Sequence, residues 1–369
     1  MTTPIHIVEP TLRDETGHCF SHVRSLAEAN VQLGLPLHVW AGEEAALLFA
    51  GASAIDLHPY FRRMSKRFQT LWLYRRLLRS PGRIYVMTAS RTDVMMLDWA
   101  AKGCIPPGKV YLLFHWLKLN ERKRAQMRKL AHRQPHIHTL APTEGVCSVL
   151  RSCGFADAQT VPYPITPYVP SVAGESELSA FHHILYAGAA RVDKGFPLVV
   201  SVVEYLAARQ ADVPVLIQAS PPHKGIHEPG VEQALKKLSD VDYPFLDLRT
   251  DTMDSQQYRG LFAGAICLQL YDPIDYAADR ISGVTLDAFS SGSPILATAG
   301  TWMARVVERF DAGMSIDDLA PSTVVAAVEN IRRDFPAYRG HALTAGRTLQ
   351  KENDASHLLR ILADEHTQK

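Results

Sequence analysis

Cysteine is scarce in this chain. There are five in 369 residues (Cys19, Cys104, Cys147, Cys153 and Cys267), and no two stand in a Cys-x-x-Cys pair. An odd, scattered set excludes a disulfide framework, argues against a structural zinc cluster and fits a reducing compartment. No apolar run reaches the roughly 18 residues needed to cross a bilayer. The opening MTTPIHIVEPTLRDE has no basic stretch leading into an apolar one, so no signal peptide is expected and the expected location is the cytoplasm. The net charge is only +1, and 47% hydrophobic with 21% charged residues excludes a disordered, collagen-like or coiled-coil protein. At about 150 residues per domain the length fits two domains or one large one, able to bury roughly three quarters of the unfolded surface.

Several catalytic signatures are missing too. No G-x-G-x-x-G follows the first strand, which argues against a dinucleotide oxidoreductase. The one Asp-x-Asp, Asp240-Val241-Asp242, precedes a strand candidate and so lies away from the end where ligands bind; no metal site is expected from it. Gly103 to Lys109 has P-loop spacing, but Val110 stands where the magnesium-binding hydroxyl belongs, and the segment precedes a strand. Gly292-Ser293-Pro294 is not a nucleophile elbow.

What is present is alternation. Apolar runs of strand length (Ile5 to Val8, Pro36 to Trp40, Arg83 to Met87, Val110 to Phe114, Ile137 to Leu140) are each followed by a helix-length amphipathic stretch, the first from about His18 to Leu33. PYPITPYVP then interrupts the pattern, and residues 162–177 read as a linker. The alternation restarts with His183 to Ala187, a helix from Gly195 to Arg209, and strands at Val213 to Gln218, Pro244 to Leu248, Ala265 to Leu270 and Pro294 to Ala297. From Pro321 onward the chain reads as helical. This is an α/β pattern of two Rossmann-like domains, 1–165 and 166–369, expected to face each other across a cleft, with chemistry at the carboxyl ends of the strands.

Two segments carry that chemistry. In DRISGVTLDAFSSGSP, Gly283 opens a helix whose free N–H groups suit a phosphate. Asp287 lies one turn in and Asp279 eight residues earlier, so two carboxylates flank the site, placed to accept hydrogen bonds from sugar hydroxyls; an ordinary capping region would have the same spacing. In ILYAGAARVDKGFPLVV a strand ends at Ala187-Gly188, and Arg191 and Lys194 stand in the strand-to-helix turn, where two cations neutralise a diphosphate or simply face solvent.

Gly188-x5-Lys194-Gly195 followed by Asp279-x7-Asp287-Ala288-x3-Gly292-x-Pro294 resembles the retaining GT-B glycosyltransferases of the glycosyltransferase group 1 family. That family shows a G-R-x4-K-G loop and an E-x7-E motif. Here aspartate fills both glutamate positions, Ala189 stands at the loop arginine, and Arg191 lies two residues later. The match is specific in the C-terminal half, and the N-terminal half is compatible. The resemblance implies a metal-independent hexosyltransferase with no cofactor. Its donor is expected to be a nucleotide-diphospho-sugar, UDP- or GDP-linked, and its acceptor a saccharide or lipid-linked molecule of surface polysaccharide or glycolipid assembly. Lys194 and Arg191 would hold the diphosphate beside Gly188. Ser282, Gly283 and Val284 would cradle it, Asp287 would bind the ribose, and Asp279 the transferred sugar. His115, where an apolar strand ends, would orient the sugar or acceptor. In the loop after the first strand, Gly17 and His18 are the acceptor-side candidates. A non-hydrolysing nucleotide-sugar epimerase and an inactive sugar-nucleotide-binding protein are the alternatives.

The charge is unevenly spread. Residues 51–140 carry 18 Lys and Arg against 4 Asp and Glu, a balance of +14, leaving −13 on the rest. FRRMSKRFQTLWLYRRLLRS interleaves seven of those cations with bulky apolar side chains. That composition suits an anionic membrane surface, hence an expected peripheral association with the inner face of a membrane. No helix-turn-helix, zinc-finger or ribonucleoprotein signature accompanies it, so nucleic acid is not an expected partner.

Overall fold

The computed structural model describes residues 3–15, 18–49, 54–163, 180–221, 225–251, 253–277 and 279–364. The chain forms two compact units, Met1–Pro167 together with Glu352–Lys369, and Tyr168–Lys351.

The first unit is built on seven strands: β1 (Ile5–Val8), β2 (Leu37–Gly42), β3 (Asp56–Phe61), β4 (Arg83–Val86), β5 (Val110–Leu113), β6 (His138–Ala141) and β7 (Gln159–Thr160). Every pairing is parallel and the order is β3-β2-β1-β4-β5-β6-β7. The helices are α1 (His18–Leu33), α2 (Lys66–Leu77), α3 (Arg91–Ala101), α4 (Glu121–Arg133) and α5 (Glu144–Ser152). Parallel strands are covered on both faces and so read as mainly apolar runs, as IHIV, RIYV and VYLL do. Alternate residues serve opposite layers. Ile5 and Ile7 pack with Val23 and Leu26 of α1, whereas Val8 and Ile84 pack with Leu73 of α2 and Leu97 of α3.

The second unit has six parallel strands: β8 (His183–Tyr186), β9 (Val215–Gln218), β10 (Leu246–Arg249), β11 (Ala265–Gln269), β12 (Ile295–Thr298) and β13 (Gly313–Ile316). Their order, β10-β9-β8-β11-β12-β13, is that of the Rossmann sheet, with its reversal between β8 and β11. Its helices are α6 (Phe196–Ala208), α7 (Pro229–Ser239), α8 (Ser255–Gly260), α9 (Gly283–Ser290), α10 (Trp302–Phe310), α11 (Pro321–Arg333) and α12 (Phe335–Glu352).

Two corrections concern the fold. Strands β3, β7 and β13 are absent from the sequence reading; all three run along or at the edge of their sheets, where one side needs no apolar run. The C-terminal helices do not all belong with the C-terminal domain. The last, α13 (Ala355–Ala363), packs on α1 and buries Ala355, Leu358, Leu359 and Leu362 in the first unit's core. The segment read as a linker falls mostly outside the described residues.

Candidate active site

In the second unit the site is assembled at the sheet's reversal. β8 ends at Tyr186, and the chain turns through Gly188 into a short 3-10 turn, Val192–Lys194, before α6 begins. Gly188 has φ +99°, and its N–H donates to Gln218 Oε1 at 2.8 Å. A Cβ placed there would lie 3.5 Å from Lys194 Nζ and 3.4 Å from Val284 Cγ2, which fixes how closely the three residues converge. Gly195, at φ +72°, passes so near the β11 loop that a Cβ would stand 2.0 Å from the Leu270 carbonyl oxygen. Only glycine permits that crossing.

Burial, reinforced by the neighbouring Arg191 and Arg280, pulls the Lys194 ammonium down to about 8. Arg191 is ion-paired with Asp193, and Arg280 Nη1 lies 3.7 Å from the same carboxylate. The Arg280 guanidinium stacks over the Tyr276 ring at 3.9 Å. Lys194, Arg191 and Arg280 are thus gathered around Asp193 at the strand ends.

The opposite wall is α9. Ser282 precedes it, buried, with a hydroxyl that does not cap the helix. Gly283 is exposed, with no atom within 4 Å of a Cβ built on it, so the first turn opens onto free space. Val284 is buried and faces Gly188. Asp287 accepts a hydrogen bond from the Tyr258 hydroxyl at 3.2 Å. It is open to solvent on one side, yet crowding by protein is enough to raise its carboxyl to about 6. Asp279, half-buried, stands beside Arg280 in the loop leading to α9.

The first unit gathers different chemistry at the same end of its sheet. His115 follows β5, and its Nε2–H donates to the Met87 carbonyl at 2.9 Å. That bond fixes the tautomer and leaves Nδ1 as a lone-pair acceptor, buried and unpartnered among the described residues. Burial, with His18 beside it, drives the His115 imidazole down to about 3, so the ring is neutral at neutral pH. His18 of α1 meets it edge-on at 5.4 Å between centroids, Tyr163 at 5.4 Å and His22 at 5.9 Å. Beside them Glu9, fully buried at the end of β1, accepts from Thr11 N–H at 3.0 Å and from the Thr88 hydroxyl at 2.6 Å. Desolvation raises its carboxyl above the ordinary range.

Of the residues expected from the sequence, Gly188, Arg191, Lys194, Ser282, Gly283, Val284, Asp279 and Asp287 all stand on the β8 and β11 loops or the first turns of α9. His18 and His115 are brought together in the first unit. Gly17 lies outside the described residues. Sequence reasoning passed over Asp193 and Arg280, although Arg280 directly follows Asp279. It also passed over Glu9 and His22; His22 is four residues beyond His18 on the same helix face, a spacing that does point to it.

No family model and no curated protein matches the chain. Solved structures match it over nearly its whole length. HepE from Anabaena, in complex with UDP-glucose, is 12% identical with a TM-score of 0.68, over 98% of each chain. A sucrose-phosphate synthase from Thermosynechococcus elongatus is 13% identical with a TM-score of 0.66, over 98% of this chain and 96% of that one. WaaG, a glycosyltransferase involved in lipopolysaccharide biosynthesis, is 13% identical with a TM-score of 0.63, over 97% and 98%. At such identities the likeness shows the fold, which is GT-B, with two Rossmann-like domains in one chain.

Proposed function

We propose that this protein is a retaining glycosyltransferase that moves a hexosyl unit from a nucleotide-diphospho-sugar to a saccharide or lipid-linked acceptor. The observation that carries this reading is the meeting of Lys194, Gly188 and Val284 at the open N-terminus of α9. A diphosphate seated there gains the charge of Lys194, the dipole of the helix and its unpaired N–H groups. Arg191 and Arg280, both beside Asp193, add their positive charge to that of Lys194. Glycosyl transfer leaves a nucleoside diphosphate carrying new negative charge, and fixed cations stabilise that charge more in the transition state than in the ground state. Because side chains and helix amides supply the positive charge, the reaction as proposed runs without a divalent ion. Added magnesium or manganese should then change diphosphate affinity less than about twofold.

Asp287 accepts hydrogen bonds from the ribose and Asp279 from the transferred sugar. The neutral His115, with Nδ1 as acceptor, orients a sugar or acceptor hydroxyl. HepE was solved with UDP-glucose, which favours a UDP-linked donor here. Retention of anomeric configuration rests on the motif resemblance. The acceptor reading rests on α2 and the residues flanking it, where Met64, Phe68 and Trp72 are exposed at 96%, 73% and 66% and Arg63, Arg67, Arg76 and Arg79 are exposed too. Exposed apolar groups among cations fit peripheral contact with an anionic bilayer. Among the described residues no helix is long and apolar enough to cross one.

The test is a thermal-shift panel with UDP, GDP, ADP, dTDP and CMP. A ligand at 100 times its Kd stabilises by about 2.7 kcal/mol, a rise of several degrees for a domain of this size. One nucleoside diphosphate should raise the melting temperature, and Lys194→Ala should remove the rise. No response to any of the five would overturn the donor site. Turnover of the nucleotide sugar with no acceptor would favour the epimerase instead.

A further inference from the structure

A second cluster of chemically competent side chains lies at the other end of the first unit's sheet. His38 is the second residue of β2, and Asp56 and His58 are the first and third of β3. The register places His38 beside Asp56 and Trp40 beside His58. With a side-chain period of two, all four residues project from one face at the amino-terminal end of the sheet. His38 Nδ1 is 3.0 Å from Asp56 Oδ2 and 3.2 Å from His58 Nε2, and His58 Nε2 is 3.1 Å from the same Asp56 oxygen. Among the described residues this is the one group of three or more His, Cys, Asp or Glu with ligand atoms so close.

We infer that His38, Asp56 and His58 form a binding site for a divalent transition-metal ion, zinc being the first candidate. The ligand set is two imidazoles and a carboxylate, borderline donors suited to zinc rather than to calcium or magnesium. The geometry agrees. Ligand atoms about 2.0–2.1 Å from a tetrahedral ion lie about 3.3 Å apart, and those on one face of an octahedral ion about 2.9 Å apart. The observed triangle, 3.0–3.2 Å on a side, falls between the two. An ion would sit about 1 Å out of its plane. Side-chain exposures of 30% for His38, 32% for His58 and 60% for Asp56 leave the remaining positions open to water.

The rings are held for that role. Trp40 stacks on His58, with centroids 4.3 Å apart and planes within 16°. His6 of β1 stacks on His38 at 5.0 Å, and Trp40 Nε1–H donates to His6 Nδ1 at 3.4 Å. Such outer contacts fix ring orientation before an ion arrives. Because β3 pairs, among the described residues, with β2 alone, an ion bridging the two strands would pin the edge of the sheet. Within the first unit it lies at the opposite end of the strands from Glu9 and His115.

The full chain, stripped with chelator and dialysed, is titrated with zinc(II) by calorimetry and with cobalt(II) by visible absorption. Binding of one equivalent is expected, weakened by at least about tenfold in His38→Gln, Asp56→Asn and His58→Gln. A second measurement needs no variant: zinc should protect His38 and His58 of the wild type from diethylpyrocarbonate, mapped by mass spectrometry. If neither ring is protected, or if a His38→Gln/His58→Gln double variant binds zinc as tightly as the wild type, the site is only a hydrogen-bonded triad and the inference fails.

Discussion

The two units share one architecture, parallel sheets with the same reversal of strand order, yet their strand ends hold opposite chemistry. The second unit presents Lys194, Arg191 and Arg280; the first presents His115, His18 and His22 around Tyr163, with Glu9 buried nearby. Desolvation acts on both sets in the same direction, disfavouring charge. The outcome differs because the starting points differ. Lys194 falls from 10.5 to about 8 and keeps its proton at pH 7, whereas His115 falls from 6.5 to about 3 and has none to lose. One kind of burial therefore makes an anion-binding cation in one unit and a neutral hydrogen-bond acceptor in the other. Fold alone does not say which; the side chain placed on it does.

The sharpest way to break the comparison is to remove each group. Lys194→Ala should weaken nucleoside-diphosphate binding by about 100-fold, from the loss of a charge-assisted contact in a desolvated site. His115→Asn should leave that affinity within about twofold but lower kcat by about 100-fold. Calorimetry with the diphosphate and initial-rate kinetics with the donor separate the two. Equal effects of both substitutions on binding would erase the distinction.

A smaller effect is expected in pH. Diphosphate affinity, followed by calorimetry from pH 5 to 9.5, should peak near pH 7, in the window between about 6 and about 8. Above that window Lys194 loses the proton that attracts the anion; below it Asp287 gains one and ceases to be a carboxylate acceptor, while the terminal phosphate of the ligand, with a pKa of about 6, also takes up a proton. His115 should add no step there, because its change lies near 3.

The smallest effect is in stability and runs opposite to binding. A lysine whose pKa is depressed on folding destabilises the native state below that pKa, and stability recovers as pH rises from about 8 toward 10.5. Lys194→Met should thus raise the melting temperature of the ligand-free protein at pH 7 by roughly 2–4 °C, about 1 kcal/mol after discounting for partial exposure. The same variant should not bind the diphosphate. A fall in melting temperature would mean that the ammonium contributes to the fold.

The pattern of what sequence reading reached has a physical cause. Central strands such as VYLL and AICLQ are buried on both faces and announce themselves as apolar runs. Strand β3, DLHPYF, carries a proline and faces solvent along much of its length; β13, GMSI, begins with glycine. Both are edges, and edges need no continuous apolar signal. In the site, Lys194, Gly283 and Asp287 were legible because a strand-to-helix turn and one helical turn set their positions locally. The pairing of Arg191 and Arg280 through Asp193 was not, since it joins loops almost ninety residues apart in the chain. The triangle of His38, Asp56 and His58 was hidden for the same reason as β3: without the strand there is no register to bring the residues side by side.

The helix α13 has a consequence for the order of assembly. Asn353 accepts a hydrogen bond from Tyr163 N–H at 2.8 Å, and Arg83 donates to the carbonyls of Leu362 and Asp364. Burial of Leu358, Leu359 and Leu362 contributes roughly 4–9 kcal/mol as an upper bound, a large share of a domain's net stability. On the ribosome, the first unit is therefore unfinished when its own 160 residues have emerged, and it waits with an uncovered apolar groove along α1 while the whole second unit is made. The domain begun first is completed second, so the vulnerable species during synthesis is the N-terminal half awaiting its last helix.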